Sequence, residues 1–308
     1  MIVSDLTKEQ RSDAGIVAFG FFDAIHIGHR GVICEAIRLA RENGVPSSVF
    51  LFENNIYPLI GIEKYPIYTF PERLHFIEQL GVDKVFYLHA DKDILSMDPR
   101  RFIDFITEHL NIIGFACGDD FTFGKDGAGT PLDLIDRFGG IFSVCKKWAL
   151  ELPPDYCSVI VSTEAVKRSL SVGDIRTAEQ YLGRRFSIIR PVLEGRKDGS
   201  KIGFPTINMP VDTLPLKRGV YFSNAIVNGC PYPSVSNVGA HPTFGDEAEN
   251  VETHIIDFYG DLYDREIEVE FLAYHRDIKT FEDERDLIQT IDADVDARLQ
   301  YKEDECFD

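Results

Sequence analysis

The chain has 308 residues, of which 44% are hydrophobic and 27% are charged, so it is long enough for two domains with substantial cores. A formal net charge of −19 argues against a nucleic-acid partner, because binding to phosphate backbones needs a basic surface. No apolar run approaches the roughly 18 residues of a membrane-spanning helix, so no membrane partner is expected. Scattered cysteines without a Cys-x-x-Cys pair, and no secretory signal, favour a reducing cytoplasm, while composition leaves the oligomeric state open.

The first half of the chain alternates between strand-like and helix-like segments. Short apolar runs predict strands at residues 15–20, 47–52, 84–88, 114–117 and 141–144. Apolar residues at helical spacing predict helices at 30–42, 71–80 and 99–110, and Gly44 would end the first of them. This alternation is typical of β-α-β units, so we predict an α/β domain with a parallel sheet that binds ligands at the carboxyl ends of its strands.

From about Arg184 the pattern changes to short β-rich segments separated by Gly, Pro and Asn. Strands are predicted at 185–193, 219–227, 252–258 and 266–273, and a closing helix at 281–299. In the last strand Ile267, Val269 and Phe271 alternate with glutamates, as in a strand with one buried face. The pattern predicts a small antiparallel β-barrel with a terminal helix. The boundary is placed near Leu182-Gly183, which gives domains of residues 1–182 and 183–308.

The run Gly203-Phe204-Pro205-Thr206-Ile207-Asn208, with Glu252 downstream, supplies the groups that a phosphoryl-transfer site needs. Thr206 and Asn208 are two residues apart, so on an extended strand their oxygens face one side, where they can bind Mg²⁺. Gly203 lets the backbone approach a phosphate and Pro205 stiffens the segment. Glu252 can accept a proton from a substrate hydroxyl. Taken alone, Pro-Thr-x-Asn is more often only a turn into a strand.

A second cluster, Gly20-Phe21-Phe22-Asp23-Ala24-Ile25-His26-Ile27-Gly28-His29, follows the first predicted strand. A helix is expected to begin near Gly28, and its N-terminus offers free N–H groups to a phosphate. His26 and His29 can donate hydrogen bonds to a triphosphate as negative charge moves to the leaving group. A chance match and a metal-binding pair are the alternatives, and the second is weakened because no Cys or carboxylate cluster accompanies the histidines.

The run from Gly203 to Asn208 resembles the Pro-Thr-Ala-Asn signature of riboflavin kinases, with Ile207 in place of Ala. The resemblance continues, in the family's order, through Arg218-Gly219-Val220-Tyr221, Ser236-Asn237-Val238-Gly239, His241-Pro242-Thr243-Phe244, Val251-Glu252-Thr253-His254 and Asp261-Leu262-Tyr263. It implies that Glu252 is the general base and that Thr206 and Asn208 hold Mg²⁺ beside ATP.

The cluster from Gly20 to His29 resembles the nucleotidylyltransferase superfamily, and more narrowly the FMN adenylyltransferase half of bacterial bifunctional FAD synthetases. The matching residues are Gly20, Phe22, Asp23, His26, Gly28 and His29, whereas Ala24 replaces a Gly. Residues 118–125, Gly-Asp-Asp-Phe-Thr-Phe-Gly-Lys, resemble a second stretch of that family. Alone, this aromatic-rich run is equally compatible with a loop packed under the sheet; with the histidines it favours a flavin or adenine pocket.

Together the resemblances imply a bifunctional enzyme with a Rossmann-like first domain and a riboflavin kinase-like barrel, whose substrates are riboflavin, FMN and ATP. They imply catalytic roles for His26, His29 and Glu252. They also imply ligand-binding roles for Gly20, Phe22, Asp23, Gly28, Asp120, Phe121, Lys167, Gly195, Lys201, Gly203, Pro205, Asn237 and Arg276. For Arg276, a surface ion pair is an equally good interpretation.

The first domain departs from the family pattern in two places. Glu53 is kept after Phe52, but the Pro that follows it in the family is Asn54 here. In the segment Ser162-Thr163-Glu164-Ala165-Val166-Lys167, Lys167 takes the place of an Arg, so a point charge replaces a planar fork. Two other interpretations therefore stay open: a monofunctional riboflavin kinase with a degenerate first domain, and a flavin-binding or regulatory protein without catalysis.

Overall fold

The structure is a computed structural model that describes residues 1–8, 12–152, 157–195, 198–211, 213–241 and 246–303. By its contacts the chain divides into two compact units, Met1–Thr163 and Glu164–Asp308. This division falls before the boundary predicted near Leu182-Gly183, which stays a prediction. Within the described ranges, no helix combines the length and the apolar character needed to cross a bilayer.

The first unit is an α/β structure, as predicted. Its strands are β1 (Ile2–Asp5), β2 (Gly15–Phe19), β3 (Ser47–Phe52), β4 (Lys84–Leu88), β5 (Ile112–Gly118), β6 (Ile141–Cys145), β7 (Ala149–Leu152) and β8 (Cys157–Ile160). Its helices are α1 (Ile27–Asn43), α2 (Phe70–Glu78), α3 (Lys92–Leu95), α4 (Pro99–His109) and α5 (Pro131–Phe138). The sequence analysis predicted neither β1, α3 and α5 nor the antiparallel pair β7–β8.

In the described part of this unit, six strands pair in parallel in the order β1-β4-β3-β2-β5-β6. Strand order therefore reverses at β2, which has β3 on one side and β5 on the other; open α/β sheets bind ligands at such a point. Every residue of β2 is buried, and α1 packs against β2, β3, β5 and β6. Phenylalanines, among them Phe19, Phe50 and Phe115, form much of the core.

The second unit carries the predicted antiparallel sheet. Its strands are β9 (Phe186–Pro191), β10 (Thr206–Pro210), β11 (Gly219–Val227), β12 (Cys230–His241), β13 (Asp246–Ile255) and β14 (Glu266–Arg276). Its helices are α6 (Thr163–Ser171), which begins at the division, α7 (Ile175–Leu182), α8 (Asp198–Lys201) and α9 (Glu284–Gln300). Among the described residues the strands follow the order β10-β13-β12-β11-β14-β9.

The sheet of the second unit curls into the predicted barrel-like form. A β-bridge between Leu193 and Asn208 joins the chain just after β9 to β10, so the two edge strands of the sheet meet. Along β14, Ile267, Val269 and Phe271 are buried, which confirms the predicted alternation. The terminal helix α9 packs against β12.

Several predicted boundaries differ from the structure by a few residues, and at two helices a cap is the reason. Helix α1 begins at Ile27, close to the start expected near Gly28 and three residues before the apolar spacing at Arg30, because the side chain of His26 caps it. Helix α9 begins at Glu284 rather than at residue 281, because Asp283 accepts a hydrogen bond from the Arg285 N–H and acts as the cap. Strand β13 ends at Ile255 rather than at residue 258.

A buried carboxylate links helix α7 to the barrel. Glu179 is only 4% exposed, and its Oε1 lies 3.5 Å from Nη1 of Arg185. Burial raises the pKa of Glu179 to about 7, and Glu270 adds to the rise, while Arg185 and the N–H of Phe186 oppose it. The folded state therefore takes up a proton that the unfolded chain releases near pH 4.5.

We predict that Glu179→Gln stabilises the chain at pH 8 but not at pH 4.5. Because the folded pKa is raised, the contribution of Glu179 to stability is present below the unfolded pKa and is lost as the pH rises through about 7. The gain at pH 8 should be about 2–3 kcal/mol, measured by denaturant unfolding at both pH values. Equal unfolding free energies at pH 8 would contradict the prediction.

Candidate functional site

A cavity of about 480 Å³ lies in the second unit between the curved sheet and helix α9. Predicted site residues that line it are Lys201, Thr206, Asn237, Glu252 and Arg276. From the helix and the segment before it come Phe281, Leu287, Ile291 and Asp294. The cavity therefore combines an apolar wall with acidic, basic and amide groups, the usual composition of a small-molecule site.

The strand register explains why Glu252 faces this cavity. In the ladders that join β10, β13 and β12, Glu252 stands opposite Asn208 on one side and Asn237 on the other. Side chains of directly paired residues share a face, and successive residues alternate. Thr253 accordingly faces the core: it is fully buried, and its Oγ1 lies 2.7 Å from Oγ of Ser236. The predicted association of Glu252 with the Thr-x-Asn pair is thus present in the fold.

Thr206 and Asn208, the predicted metal ligands, lie on β10 with one residue between them. Thr206 lines the cavity. The Asn208 amide lies between two neighbours: its Oδ1 accepts a hydrogen bond from Nδ2 of Asn250 at 3.0 Å, and Gly195 packs against its Nδ2. A Cβ on Gly195 would come within 2.2 Å of that nitrogen, so any other residue there would displace the Asn208 amide.

The donor set of this segment fits Mg²⁺ when a ligand supplies further oxygens. A hydroxyl and an amide oxygen are hard, neutral donors, and the Asn208 oxygen keeps one lone pair beyond its bond to Asn250. In the described part of the chain, no group of three or more His, Cys, Asp or Glu side chains is arranged to hold a metal. A cation here would therefore depend on the oxygens of a bound phosphate.

The segment before β10 carries the other predicted phosphate-binding groups. Gly203 has a φ of +95°, and Lys201, at the end of α8, lines the cavity. The carbonyl oxygen of Pro205 accepts a hydrogen bond from Nδ1 of His254 at 2.8 Å. The loop and the strand that carries Glu252 are thus joined by a side chain.

Arg276 is held by an ion pair, the alternative that the sequence left open. Its Nε and Nη2 donate to the carboxylate of Asp294 at 2.9 and 2.6 Å, and its Nη1 donates to the carbonyl of Asp277 at 3.0 Å. Nε2 of His275 lies 3.1 Å from the same carboxylate. Asp294 is buried, so the pair fixes α9 to β14 along one side of the cavity rather than lying at the surface.

In the first unit the predicted histidine cluster forms a single loop between β2 and α1. His26 caps α1: its Nδ1 accepts a hydrogen bond from the backbone N–H of His29 at 3.2 Å. A neutral His26 therefore carries its proton on Nε2. The two imidazoles stack with their centroids 3.7 Å apart, and Phe22 meets His29 edge-on. Gly28 lies in the first turn of the helix, so the loop has the geometry of a phosphate site.

Close packing holds this loop in an unusual conformation. Phe22 and Ile25 are buried and have φ values of +47° and +46°, which side chains rarely adopt. Gly20 is needed because a Cβ there would come within 2.7 Å of the Phe22 ring. The fully buried Asp23 accepts a hydrogen bond from the N–H of Ile67 at 2.7 Å. Phe22 and Asp23 therefore build the loop, and contact with a ligand stays a prediction for both.

Residues 118–125, the second stretch that resembles the adenylyltransferase family, follow β5. This strand is the neighbour of β2, which leads into the histidine loop. Phe121 stacks on Phe19 and on Phe123, with centroids 6.1 and 5.7 Å apart. This packing matches the alternative of a loop packed against the core. Asp120 pairs with Lys147 at 3.0 Å. Roles in ligand binding stay predictions for Asp120 and Phe121.

Two groups of residues from the resemblances lie outside the described part of the first unit. Lys167 lies on α6 and belongs to the second unit, so its predicted role beside His26 and His29 stays a prediction. Pro242, Thr243 and Phe244 lie outside the described residues.

Two buried charged residues at or near these sites, Asp294 and Arg73, were not predicted from the sequence. Asp294 lies on α9, and the sequence pattern does not indicate which face of this helix meets Arg276. Arg73 on α2 is 3% exposed and donates to the carbonyls of Phe52 and Glu53, at the carboxyl end of β3. Burial lowers its pKa, and the charge of Asp23 opposes that shift. A lone Arg in an amphipathic helix gives no signal of such burial.

Comparisons with known proteins cover both units. Residues 8–144 match the family described as FAD synthetase, and residues 182–302 match the family described as riboflavin kinase. The chain is 33% identical to the bifunctional riboflavin kinase/FMN adenylyltransferase of Pseudomonas fluorescens, over 92% of the chain and 91% of that protein. It is 30% identical to the protein of the same name from Bacillus subtilis, over 96% and 95%.

One solved structure matches the chain over its length. It is a crystal structure described as a macrolide-efflux protein from Streptococcus pneumoniae, with a TM-score of 0.81 and 24% identity. The match covers 98% of this chain and 100% of that one. At this identity the likeness shows a common fold alone.

We predict that Asp294→Asn lowers the unfolding free energy by about 2–3 kcal/mol, because it leaves the Arg276 guanidinium without its buried carboxylate. Asp296→Asn, an exposed neighbour on the same helix, should change it by less than about 0.5 kcal/mol. Denaturant unfolding of the two variants checks this. Equal decreases in the unfolding free energy of the two variants would show that the pair of Arg276 and Asp294 does not stabilise the fold.

Proposed function

The chain belongs to the family of bifunctional riboflavin kinase/FMN adenylyltransferases, and from this premise we propose a division of labour between its units. The second unit phosphorylates riboflavin to FMN, and the first unit adenylylates FMN to FAD. The family matches confirm the resemblance found in the sequence, and ATP and flavins are the substrates of this family. The observation that carries the proposal furthest is the cavity that Thr206, Asn237 and Glu252 line together.

In the kinase step Glu252 is the general base. Its carboxylate accepts the proton of the terminal ribityl hydroxyl, whose oxygen forms a bond to the γ-phosphorus of ATP while the bond to the β-phosphate oxygen breaks and ADP leaves. Support comes from the strand register, which turns Glu252 into the cavity between Asn208 and Asn237. The apolar side chains Leu287 and Ile291 of α9 suit a flavin ring.

Thr206 and Asn208 are proposed to hold Mg²⁺, which neutralises charge on the phosphates of ATP. Gly195, Lys201, Gly203 and Pro205 are proposed to contact the phosphates of ATP. Of these, Lys201 lines the cavity and supplies a positive charge there. Asn237 and Arg276 complete the walls. The protein does little covalent chemistry in such a reaction, so correct positioning accounts for most of the rate.

In the adenylyl transfer an oxygen of the FMN phosphate forms a bond to the α-phosphorus of a second ATP, and pyrophosphate leaves. We assign the stabilisation of that leaving group to His26 and His29. The capping bond makes Nδ1 of His26 an acceptor, so its Nε2 carries the proton that can be donated. The α1 N-terminus at Gly28 adds backbone N–H groups, and Lys167 is proposed to add charge.

The proposal includes the class of partner and the location in the cell. The formal charge of −19 supports small-molecule partners rather than nucleic acid, and the dispersed cysteines support a cytoplasmic location.

Glu252→Gln should lower kcat for FMN formation by about 10²–10⁴-fold, because the amide cannot accept the proton. Riboflavin affinity, measured by fluorescence titration, should stay within about twofold, since shape and polarity are kept. Glu266→Gln, at an exposed position on β14, is the matched control and should behave as the wild type. Near-normal turnover of Glu252→Gln would reject its role as base.

His29→Ala should reduce FAD formation from FMN by at least about 10²-fold and leave FMN formation from riboflavin unchanged. The exposed His89→Ala is the control and should keep both activities. Chromatography of products from riboflavin and ATP measures both steps at once. Loss of both activities in His29→Ala would contradict two separate active sites, and FMN as the sole wild-type product would identify a monofunctional kinase.

A further inference from the structure

His254 lines the cavity, yet the proposed reaction gives it no part. It lies two residues after Glu252 on β13, so both side chains project from the same face of the strand. Its Nδ1 lies 2.8 Å from the carbonyl oxygen of Pro205. Because a carbonyl oxygen can only accept, Nδ1 is the protonated nitrogen and donates this bond.

This bond extends the pairing of two strands by one residue. The ladder between β10 and β13 begins with the pair Thr206 and His254, and Pro205 lies just before it. The imidazole of His254 thus supplies to the Pro205 carbonyl a donor from the neighbouring strand. The ring of Phe204 meets the same imidazole edge-on, with centroids 5.4 Å apart, and limits its rotation.

The segment that this bond fastens leads directly to the phosphate side of the cavity. The N–H of Phe204 donates to the carbonyl of Gly199 in α8 at 2.8 Å, and Lys201 ends that short helix. On the other side Pro205 is followed by Thr206. The His254 side chain therefore anchors the residues that lead into β10, and with them the position of the Thr206 hydroxyl.

We propose that His254 is a positioning residue of the phosphoryl-transfer site. Its Nδ1–H bond to Pro205 sets the distance between the Thr206 hydroxyl and the Glu252 carboxylate, because one end of the link is on the strand of Glu252. The inference rests on the proposed kinase function. Misplacement of a reacting group by about 1 Å costs on the order of 10²-fold in rate, so a loosened entry into β10 should reduce kcat.

The test compares His254→Ala, His254→Asn and His254→Gln with the wild type. An Asn amide nitrogen is bonded to Cγ, as Nδ1 is in histidine, and can donate to the Pro205 carbonyl; the Gln amide extends one bond further, towards the position of Nε2. Steady-state FMN formation gives kcat, the riboflavin KM and the Mg²⁺ concentration for half-maximal rate. FAD formation from FMN reports on the other activity of the same chain.

We expect His254→Ala and His254→Gln to lose at least about tenfold in kcat and to need more Mg²⁺, with the riboflavin KM within about twofold. His254→Asn should recover kcat to within about threefold of the wild type, and FAD formation should be unchanged in all three. A wild-type kcat in the alanine variant, rescue by Gln instead of Asn, or loss of both activities together would overturn the proposal.

Failure of this inference is distinguishable from failure of the proposed function. If Glu252→Gln is inactive while the His254 variants turn over normally, the kinase assignment stands and the positioning role falls. If Glu252→Gln is active, the assignment of the base itself falls.

Discussion

The kinase half depends on the pairing register of three strands. β10, β13 and β12 align Asn208, Glu252 and Asn237 in one row across the sheet. A slip of one residue would turn Glu252 into the core and Thr253 into the cavity, because side chains alternate along a strand. On the core face, hydroxyls of Ser223, Ser236 and Thr253 form a buried chain with contacts of 2.8 and 2.7 Å. These bonds exist in one register only, so the buried hydroxyls help to hold the carboxylate in place.

Under the proposed function, the two units use different parts of their folds to handle phosphate. In the first, a strained loop packed over Phe22 delivers two stacked histidines to a helix N-terminus at the point where strand order reverses. In the second, the groups stand on a sheet face, and helix α9 closes the cavity through the buried pair of Arg276 and Asp294. The first arrangement depends on local backbone geometry, the second on contacts between residues far apart in the chain.

That difference accounts for how much the sequence could predict. The class of each unit followed from alternation and turn residues, and the cluster of His26 and His29 followed from its position after a strand, because those signals are local. The link between Glu252 and Thr206 came from a resemblance, since nothing local ties residues so far apart. Asp294 could not be assigned, because the orientation of a helix face is decided by packing against β14.

The interpretation of Phe121 and the starts of the helices show the same limit of local patterns. The flavin or adenine pocket that the sequence suggested around Phe121 stays a prediction: Phe121 stacks on Phe19, and aromatic packing of this kind suits a loop against the core as well as a pocket wall. Caps decide where helices start: His26 caps α1 at Ile27, three residues before the apolar spacing begins at Arg30, and only the motif around Gly28 indicated the earlier start.

The central claim is that the sheet holds the Glu252 carboxylate at one fixed depth in the cavity, and Glu252→Asp tests it most directly. This change keeps the acid and withdraws it by one methylene. The single-turnover rate constant for FMN formation should fall by about 10²-fold, with the dissociation constant of riboflavin within about twofold. A rate constant equal to that of the wild type would show that the position of the carboxylate, and hence the register behind it, does not govern the reaction.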